Sequence, residues 1–467
     1  MIRTRFAPSP TGFVHVGSIY QTVIYYGFAK KNNGKFILRL EDTDKKRYKE
    51  GAEEALYRAL EWIKIIPDEG PIYGGDYGPY VQSEVVKNGN RYKKYAYELL
   101  DKGIAYRCFC SSERLEKMRE DQLKNKQQPK YDRTCLRLTE EEIQKKLDNN
   151  EKFVIRMKIP DNEYIEFEDL ILGKISFYSN QIDDQVILKS DEYPTYHLGV
   201  VVDDHYMNIT HVIRGPEWLP STPKHVLLFK FFGWEIPKFA HTQLLRNENR
   251  SKMSKRKGDF SMEDLIALGY LPDAIFNFLA LLANPNDKNI EIFDREYYIN
   301  NFDLKKVPKT GPIFDTKKLL WMNGVYIRKL SIEELKNMIK PFISIDMSKK
   351  SDEYLEKSLQ LIQERLKILS EADELLKFFF VRPEVKITER KDVVKDLINI
   401  VNEYANDDIM EQDIRKLAEK YGMKAGDVFM ILRDIITGQS ATPPIIPVIK
   451  VLGKEESIER LKVTIGE

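Results

Sequence analysis

Apolar and polar residues alternate from the first positions of the chain. Ile2, Thr4 and Phe6 interleave with Arg3 and Arg5, which is the period of a strand. Pro8, Pro10 and Gly12 follow and predict a turn. A helix is expected over 16–31, ended by Asn33 and Gly34, and a second strand over 35–40. Another helix is expected over 51–63. Strand, helix, strand, helix is the order of a parallel α/β sheet.

From about residue 80 to 193 the texture changes. A helix over 91–102 leads into a cysteine region, then charged helices such as 139–149, then strand-like segments at 153–159, 165–170 and 173–178. This stretch reads as an insertion. The α/β texture returns at 193: Val200 to Val202 and the pair Val212-Ile213 predict buried strands, and 222–232 predicts a helix. A basic loop over 251–258 ends this part. Beyond Phe260 apolar residues recur at three- and four-residue spacing, predicting helices over 262–268, 272–283, 316–322, 332–339, 354–380, 393–404, 411–421 and 424–437. The segment 443–447 reads as a short turn before a last helix.

Composition narrows the class. The 467 residues suggest roughly three domains at about 150 residues each. Hydrophobic residues are 42% and charged residues 31%, which is ordinary globular composition and argues against disorder, collagen and membrane classes. With 74 Lys and Arg against 73 Asp and Glu the net charge is +1, so a nucleic-acid partner must be met by a local basic surface. The first residues carry no apolar stretch of a secretory signal, and no apolar run is long enough to span a membrane. A cytoplasmic protein without a membrane partner is expected. Three cysteines make no disulfide scaffold, but Cys108, Cys110 and Cys135 are close enough in sequence to suggest one local site.

Two motifs could carry chemistry. The first is Pro8-Ser9-Pro10-Thr11-Gly12, followed by His15, Gly17 and Ser18, between a predicted strand and a predicted helix. Glycines let backbone approach a ligand, and a helix N-terminus offers N–H groups to an anion. A plain strand-turn-helix has the same look. The second is Lys252-Met253-Ser254-Lys255-Arg256-Lys257-Gly258, with Arg246 and Arg250 upstream. Lysine point charges and an arginine fork suit a loop that closes on phosphates. A solvated charge run or a nucleic-acid patch would read alike.

Taken together the two motifs are far more specific. The first resembles the "HIGH" signature of class I aminoacyl-tRNA synthetases and the second their "KMSKS" signature, in the expected order and about 240 residues apart. Arg5 to Gly12, Leu40-Glu41-Asp42-Thr43-Asp44, Tyr193 to His197, Val202-Asp203-Asp204-His205, Val212 to Gly215 and Trp321-Met322-Asn323-Gly324 resemble bacterial-type glutamyl-tRNA synthetases over essentially the whole chain. The resemblance implies an α/β fold: a Rossmann-like core (1–80 and 193–260) with an inserted acceptor-end-binding α+β domain (81–192), a helical stem-contact domain (261–325) and a helical anticodon-binding domain (326–467).

It also implies a reaction. Glutamate attacks the α-phosphate of ATP, pyrophosphate leaves, and the adenylate passes its glutamyl group to the 3′ end of tRNA(Glu). His15 and Lys255 would stabilise phosphate charge. Pro10, Thr11, Gly12, His15, Gly17, Ser18, Lys252, Met253, Ser254, Lys255 and Arg256 would bind ATP, with Mg²⁺ held mostly by phosphate oxygens. In the family the residues matching Arg5, Ser9, Glu41, Tyr196, Arg214 and Trp218 line the amino-acid pocket. By charge, Glu41 would face the ammonium, and Arg5 and Arg214 the two carboxylates, Arg5 the side-chain one. Some members have Asn where this chain has Val200, so one contact to glutamate is missing or supplied elsewhere.

For the cysteines, some relatives complete a zinc set with His or Cys two residues after the last Cys. Here that residue is Arg137, which cannot serve. Others use a Tyr four residues before it, and Tyr131 stands there. The implied structural Zn²⁺ site is Cys108, Cys110, Tyr131 and Cys135; a metal-free loop with three thiols is the other reading. Arg365 aligns with an arginine that in some members reads the third anticodon base. It also reads as a solvated helix residue. The family further suggests a monomer and tRNA-dependent activation. Competing readings are an enzyme that also charges tRNA(Gln), a non-catalytic tRNA-binding relative, and an adenylyl-transferring enzyme with a small acceptor.

Overall fold

A computed structural model describes the chain except for residues 45–46, 252, 254–260, 287, 386–388, 405 and 467. It divides into two compact units. The first comprises Met1–Glu263 and Phe276–Phe314, the second Asp264–Ile275 and Asp315–Glu467.

The first unit opens with β1 (Arg3–Phe6), α1 (Val16–Lys31), β2 (Lys35–Leu38) and α2 (Ala52–Trp62). β1 and β2 pair in parallel, with Arg5 opposite Ile37. The alternation in β1 does not separate a wet face from a dry one, because all four residues are buried. Its arginines therefore need internal partners. Arg3 forks onto Glu69 at 2.7 and 2.8 Å, and the Tyr80 hydroxyl donates to the same carboxylate. On α1, a Cβ at Gly27 would lie 2.7 Å from the Tyr298 ring and 2.8 Å from Phe302, so only glycine admits those rings at this distance.

Next come α3 (Gln82–Lys87), α4 (Arg91–Asp101), β3 (Ala105–Cys108), α5 (Ser112–Lys124) and α6 (Glu140–Asp148). Thr139 and Glu142 close a reciprocal cap on α6. They are followed by β4 (Val154–Met157), β5 (Tyr164–Asp169), β6 (Gly173–Tyr178) and β7 (Val186–Leu188). Then α7 (Tyr196–Tyr206), β8 (His211–Arg214), α8 (Thr222–Phe232) and β9 (Lys238–His241) complete the sheet region. The strand order is β6-β5-β9-β8, with β8 and β9 parallel. The start of β8 sits beside β1, where the Thr210 amide donates to the Arg3 carbonyl at 3.1 Å. One hydrophobic cluster runs through Ile37, Tyr92, Leu99, Ile155, Ile187, Val200 and Phe239.

One expectation fails here. Val200 to Val202 lie inside the helix α7 and not in a strand. Leu198 to Asp204 are all buried, so this helix has no polar face to give it a helical period in the sequence.

Two helices follow, α9 (Met262–Ala267) and α10 (Pro272–Ala283), and then α11 (Arg295–Asn301). In the second unit, α12 (Thr316–Arg328) and α13 (Ile332–Ile339) precede α14 (Asp352–Gln363) and α15 (Ala372–Phe380). The single helix expected over 354–380 is therefore two. Glu371 accepts from the Lys367 amide at 2.8 Å and stabilises the break. After α16 (Lys391–Asn402), α17 (Asp407–Lys420) and α18 (Ala425–Thr437), the expected turn at 443–447 instead begins α19 (Ile445–Leu452), and α20 (Lys454–Ile465) ends the chain. Pro447 is tolerated because it falls in the first turn of α19, where its missing N–H has no helical acceptor to lose. Leu359, Ile362, Leu366, Val394, Leu397 and Leu432 form the core of this unit, none exposed.

Candidate active site and metal centre

The Pro-rich turn after β1 delivers the chain to the N-terminus of α1. His15 is the N-cap: its Nδ1 accepts from the Gly17 amide at 3.0 Å. A Cβ at Gly17 would stand 3.1 Å from that nitrogen, so the glycine lets the cap close. The Pro10 carbonyl accepts from the Lys49 amide and the Pro8 carbonyl from the Glu41 amide, which brings the stretch beyond β2 beside the turn. Ser9 is exposed; Thr11, Gly12, Gly17 and Ser18 are half-buried at the same end of the sheet.

Of the second motif, Lys252, Ser254, Lys255, Arg256, Lys257 and Gly258 lie outside the described residues. Its flanks are described. Met253 is buried and its amide donates to the Leu245 carbonyl at 3.4 Å. On the far side, Ser261 forms a backbone bridge with His15, and the Met262 amide donates to the Val14 carbonyl at 3.0 Å. The stretch that follows the second motif thus meets the first at the N-terminus of α1.

Beside them lies a buried charge cluster that the sequence reading only half anticipated. Arg5 donates from Nε and Nη2 to Asp204 at 3.1 and 3.4 Å and from Nη1 to the Ile213 carbonyl. Arg5 thus already holds an internal carboxylate; among the described residues three of its five N–H groups are engaged, which leaves two for a ligand. Arg39 is fully buried and bonds Asp204 at 2.7 Å and Glu41 at 2.9 Å, with Asp203 3.8 Å away. Asp203 also accepts from Gln82 and the Tyr92 hydroxyl. Burial pushes the Glu41 carboxyl up against the pull of Arg39, while Arg5 and Arg39 overcome burial and hold Asp204 down.

Arg214, at the end of β8, is also buried. Its Nε donates to His241 Nε2 at 3.1 Å, and Nη2 donates to Thr222 Oγ1 at 2.8 Å. Its Nη1 lies 3.0 Å from His225 Nδ1 and 3.4 Å from the Tyr196 hydroxyl. Tyr196 stacks on Trp218 with ring centroids 4.1 Å apart. Burial pushes the Tyr196 hydroxyl up to about 12, and the charges acting on it are those of Arg214, Glu41, Arg5 and Asp204. Those five residues are therefore neighbours in one buried polar cluster, with Trp218 against Tyr196. Val200 is buried in the hydrophobic cluster, on α7, the helix that Tyr196 begins.

Arg39, Asp203, Asp204, Asp169, Thr222, His225 and His241 received no role from the sequence reading. A signal existed for some of them. Arg39 is a lone charge between Leu38 and Leu40, and Asp203-Asp204 ends a valine run.

The three cysteine sulfurs lie within 4.8 Å of one another, with Cys110 and Cys135 3.5 Å apart. The Tyr131 hydroxyl is 3.4 Å from Cys108 and 3.3 Å from Cys110. Tetrahedral zinc with Zn–S near 2.3 Å separates sulfurs by about 3.8 Å, so this donor set fits the ion. The neighbouring Cys135 thiol, with the Tyr131 hydroxyl, pulls the Cys108 thiol down from its ordinary value. Arg114 donates to Cys110 at 3.3 Å, and Arg156 stands 4.2 Å over the Tyr131 ring, placing positive charge beside the sulfurs.

In the second unit Arg365 is exposed just past α14, while the adjacent Leu366 is buried. Among the described residues no helix is long and apolar enough to cross a membrane.

Comparison with known proteins decides the family. Residues 1–321 match the model for the catalytic domain of tRNA synthetases class I (E and Q). The chain belongs to that family. Residues 334–465 of this synthetase match a model of an anticodon binding domain. Curated relatives include a glutamate–tRNA ligase from Finegoldia magna, 41% identical over 98% of both chains. Another, from Dehalococcoides mccartyi, is 43% identical over 100% of this chain and 98% of its own. A glutamate tRNA ligase from Elizabethkingia meningosepticum, solved in complex with its amino acid, superposes with a TM-score of 0.90 at 36% identity, covering 99% of each chain. The glutamate–tRNA synthetase of Elizabethkingia anophelis gives 0.89 at 36% identity over the full length of both. The synthetase thus has the class I fold of a mixed α/β catalytic part followed by helices.

Proposed function

We infer how this synthetase works from the pocket at the ends of β1, β2 and β8. The chain is a glutamate–tRNA ligase. A glutamate carboxylate oxygen attacks the α-phosphorus of ATP, pyrophosphate leaves, and the terminal ribose hydroxyl of tRNA(Glu) then attacks the mixed-anhydride carbonyl and releases AMP. No covalent enzyme intermediate is required, so catalysis consists of alignment and charge stabilisation.

The observation that carries the assignment is the pocket's charge pattern. Glutamate brings two carboxylates and one ammonium. Arg5 and Arg214 offer cations, Glu41 offers an anion, and all three are buried in one neighbourhood. Glu41 takes the ammonium, Arg214 and the free N–H groups of Arg5 take the carboxylates, Tyr196 and Trp218 wall the pocket, and Ser9 lies at its rim. ATP is bound by Pro10, Thr11, Gly12, His15, Gly17 and Ser18 together with Lys252, Met253, Ser254, Lys255 and Arg256. His15 and Lys255 stabilise the phosphate charge, and Mg²⁺ enters with ATP on phosphate oxygens. Cys108, Cys110, Tyr131 and Cys135 hold a structural Zn²⁺. Arg365 contacts the anticodon. The segments 1–80 and 193–260 form the catalytic core, 81–192 binds the acceptor end, 261–325 the stem and 326–467 the anticodon. A monomer working in the cytoplasm, where ATP and tRNA are supplied, accords with these roles.

The test is ATP–pyrophosphate exchange with glutamate, with and without total tRNA, using glutamine and aspartate as controls. Exchange with glutamate alone among the three amino acids, and only with tRNA, is expected. Folded protein that exchanges under no condition refutes the assignment and favours a non-catalytic relative. Charging tRNA(Glu) and tRNA(Gln) in parallel separates a discriminating enzyme from one that serves both.

A further inference from the structure

Arg214 is held by a chain of groups that does not touch the pocket. Asp169 ends β5 and is 1% exposed. One of its oxygens, Oδ1, accepts from the amides of Ile171 and Leu172 at 3.0 and 2.9 Å. The other, Oδ2, accepts from the His241 amide at 3.0 Å and lies 2.6 Å from His241 Nδ1. The far nitrogen of that ring, Nε2, is 3.1 Å from Arg214 Nε.

The proton positions follow by elimination. An arginine Nε–H can only donate, so His241 Nε2 must accept and the ring proton sits on Nδ1. That proton is donated to Asp169. Thr222 Oγ1, 3.1 Å from Nε2, accepts from Arg214 Nη2. Burial keeps His241 neutral, and its hydrogen bond together with the two loop amides keeps Asp169 ionised despite burial.

We propose that Asp169 is a positioning residue acting through His241: it fixes the ring proton on Nδ1, leaving Nε2 as the acceptor that aims the Arg214 guanidinium at a substrate carboxylate. The proposal rests on the reading of Arg214 as a glutamate-binding residue. Its logic is specific to atoms. In Asp169→Asn the oxygen must stay at the Oδ1 position, because two amides donate there. The new NH₂ then faces the His241 amide and Nδ1. Nδ1 must become an acceptor, the ring proton moves to Nε2, and Nε2–H points at the Arg214 Nε–H. Gln at 241 has no tautomer to set; its amide oxygen reaches the Nε2 position and accepts from Arg214 whatever occupies 169.

The experiment measures glutamate and ATP KM and kcat by aminoacylation with full-length Asp169→Asn, His241→Ala, His241→Gln and the Asp169→Asn/His241→Gln double variant, with thermal unfolding alongside. Asp169→Asn is expected to raise the glutamate KM about tenfold to a hundredfold, with the ATP KM within about twofold. The same change in the His241→Gln background should cost less than about threefold. Equal cost in both backgrounds, or an unchanged glutamate KM, overturns the proposal and leaves Asp169 as a loop cap. If Asp169→Asn does not fold, His241→Ala and His241→Gln decide: rescue by Gln supports the proposal, and equal losses overturn it. Wild-type protein that fails to charge tRNA with glutamate would instead refute the assigned activity.

Discussion

Replacing Arg39 by Met removes one cation from among three buried carboxylates while keeping roughly its side-chain length. Arg39 is 0% exposed, and Glu41, Asp203 and Asp204 are 6%, 1% and 3% exposed. Asp204 keeps Arg5, and Asp203 keeps Gln82 and Tyr92. Glu41 loses the guanidinium that bonds it at 2.9 Å. Breaking a buried ion pair by removing one partner costs about 3–5 kcal/mol. Protonation of Glu41 limits that cost, because burial already raises this carboxyl and Arg39 opposes the rise. In the variant the native state binds a proton that the unfolded chain has released, so stability falls as pH rises, with a slope of up to about 1.4 kcal/mol per pH unit. The loss should therefore be larger at pH 8 than at pH 5. Urea unfolding followed by tryptophan fluorescence at pH 5 to 8 measures it; Trp62, Trp218 and Trp234 lie in the first unit. A loss below about 1 kcal/mol at pH 8 with no pH trend would refute the reasoning. Glutamate KM should rise as well, since a protonated Glu41 no longer attracts an ammonium.

Glu69 tests the sign in the opposite direction: the Arg3 hydrogen bonds hold its carboxyl down to about 2, so below its unfolded value of 4.5 the unfolded chain takes up the proton first and stability is lost as pH falls toward 2. Arg3→Met should flatten that part of the stability curve, and an unchanged slope in acid titration of urea midpoints would remove Glu69 from the account. Wild-type protein is expected to carry about one Zn²⁺ per chain by elemental analysis, and Cys110→Ser less than half of that; equal content in both would exclude the cysteine site. Arg5→Lys keeps the charge but loses the fork on Asp204, so glutamate kcat/KM should fall about tenfold to a hundredfold. Wild-type kinetics in that variant would mean the fork is not needed.

Amphipathic elements could be read from the sequence nearly to the residue. Helix 332–339 buries one face through Leu335 and Ile339, and Ser331 with Glu334 closes a reciprocal cap at its start, so pattern and punctuation agree. Where tertiary contacts bury every side, pattern fails. The valines of α7 favour a strand by local preference, and burial overrides it. The break between α14 and α15 contains neither Gly nor Pro, and its stabilising contact is a side chain bonding to backbone. The site divides in the same way. His15, Gly17, Arg5 and Glu41 sit in local motifs next to strand ends. Arg39 and Asp204 are 165 residues apart and Asp169 and His241 72 apart, so their partnership exists only after folding.

The first unit also has a history built into its covalent order. The Tyr298 hydroxyl donates to the Val23 carbonyl across 275 residues, and the rings of Tyr298 and Phe302 close over Gly27 of the first helix. A ribosome must therefore make the last stretch of this unit, Phe276–Phe314, before the first helix can meet all of its neighbours. At about 5–20 residues per second, that helix waits on the order of 15–55 s after emerging with part of its apolar surface uncovered. Nascent chains of this protein should accordingly engage chaperones early and release them only once residue 302 has left the exit tunnel.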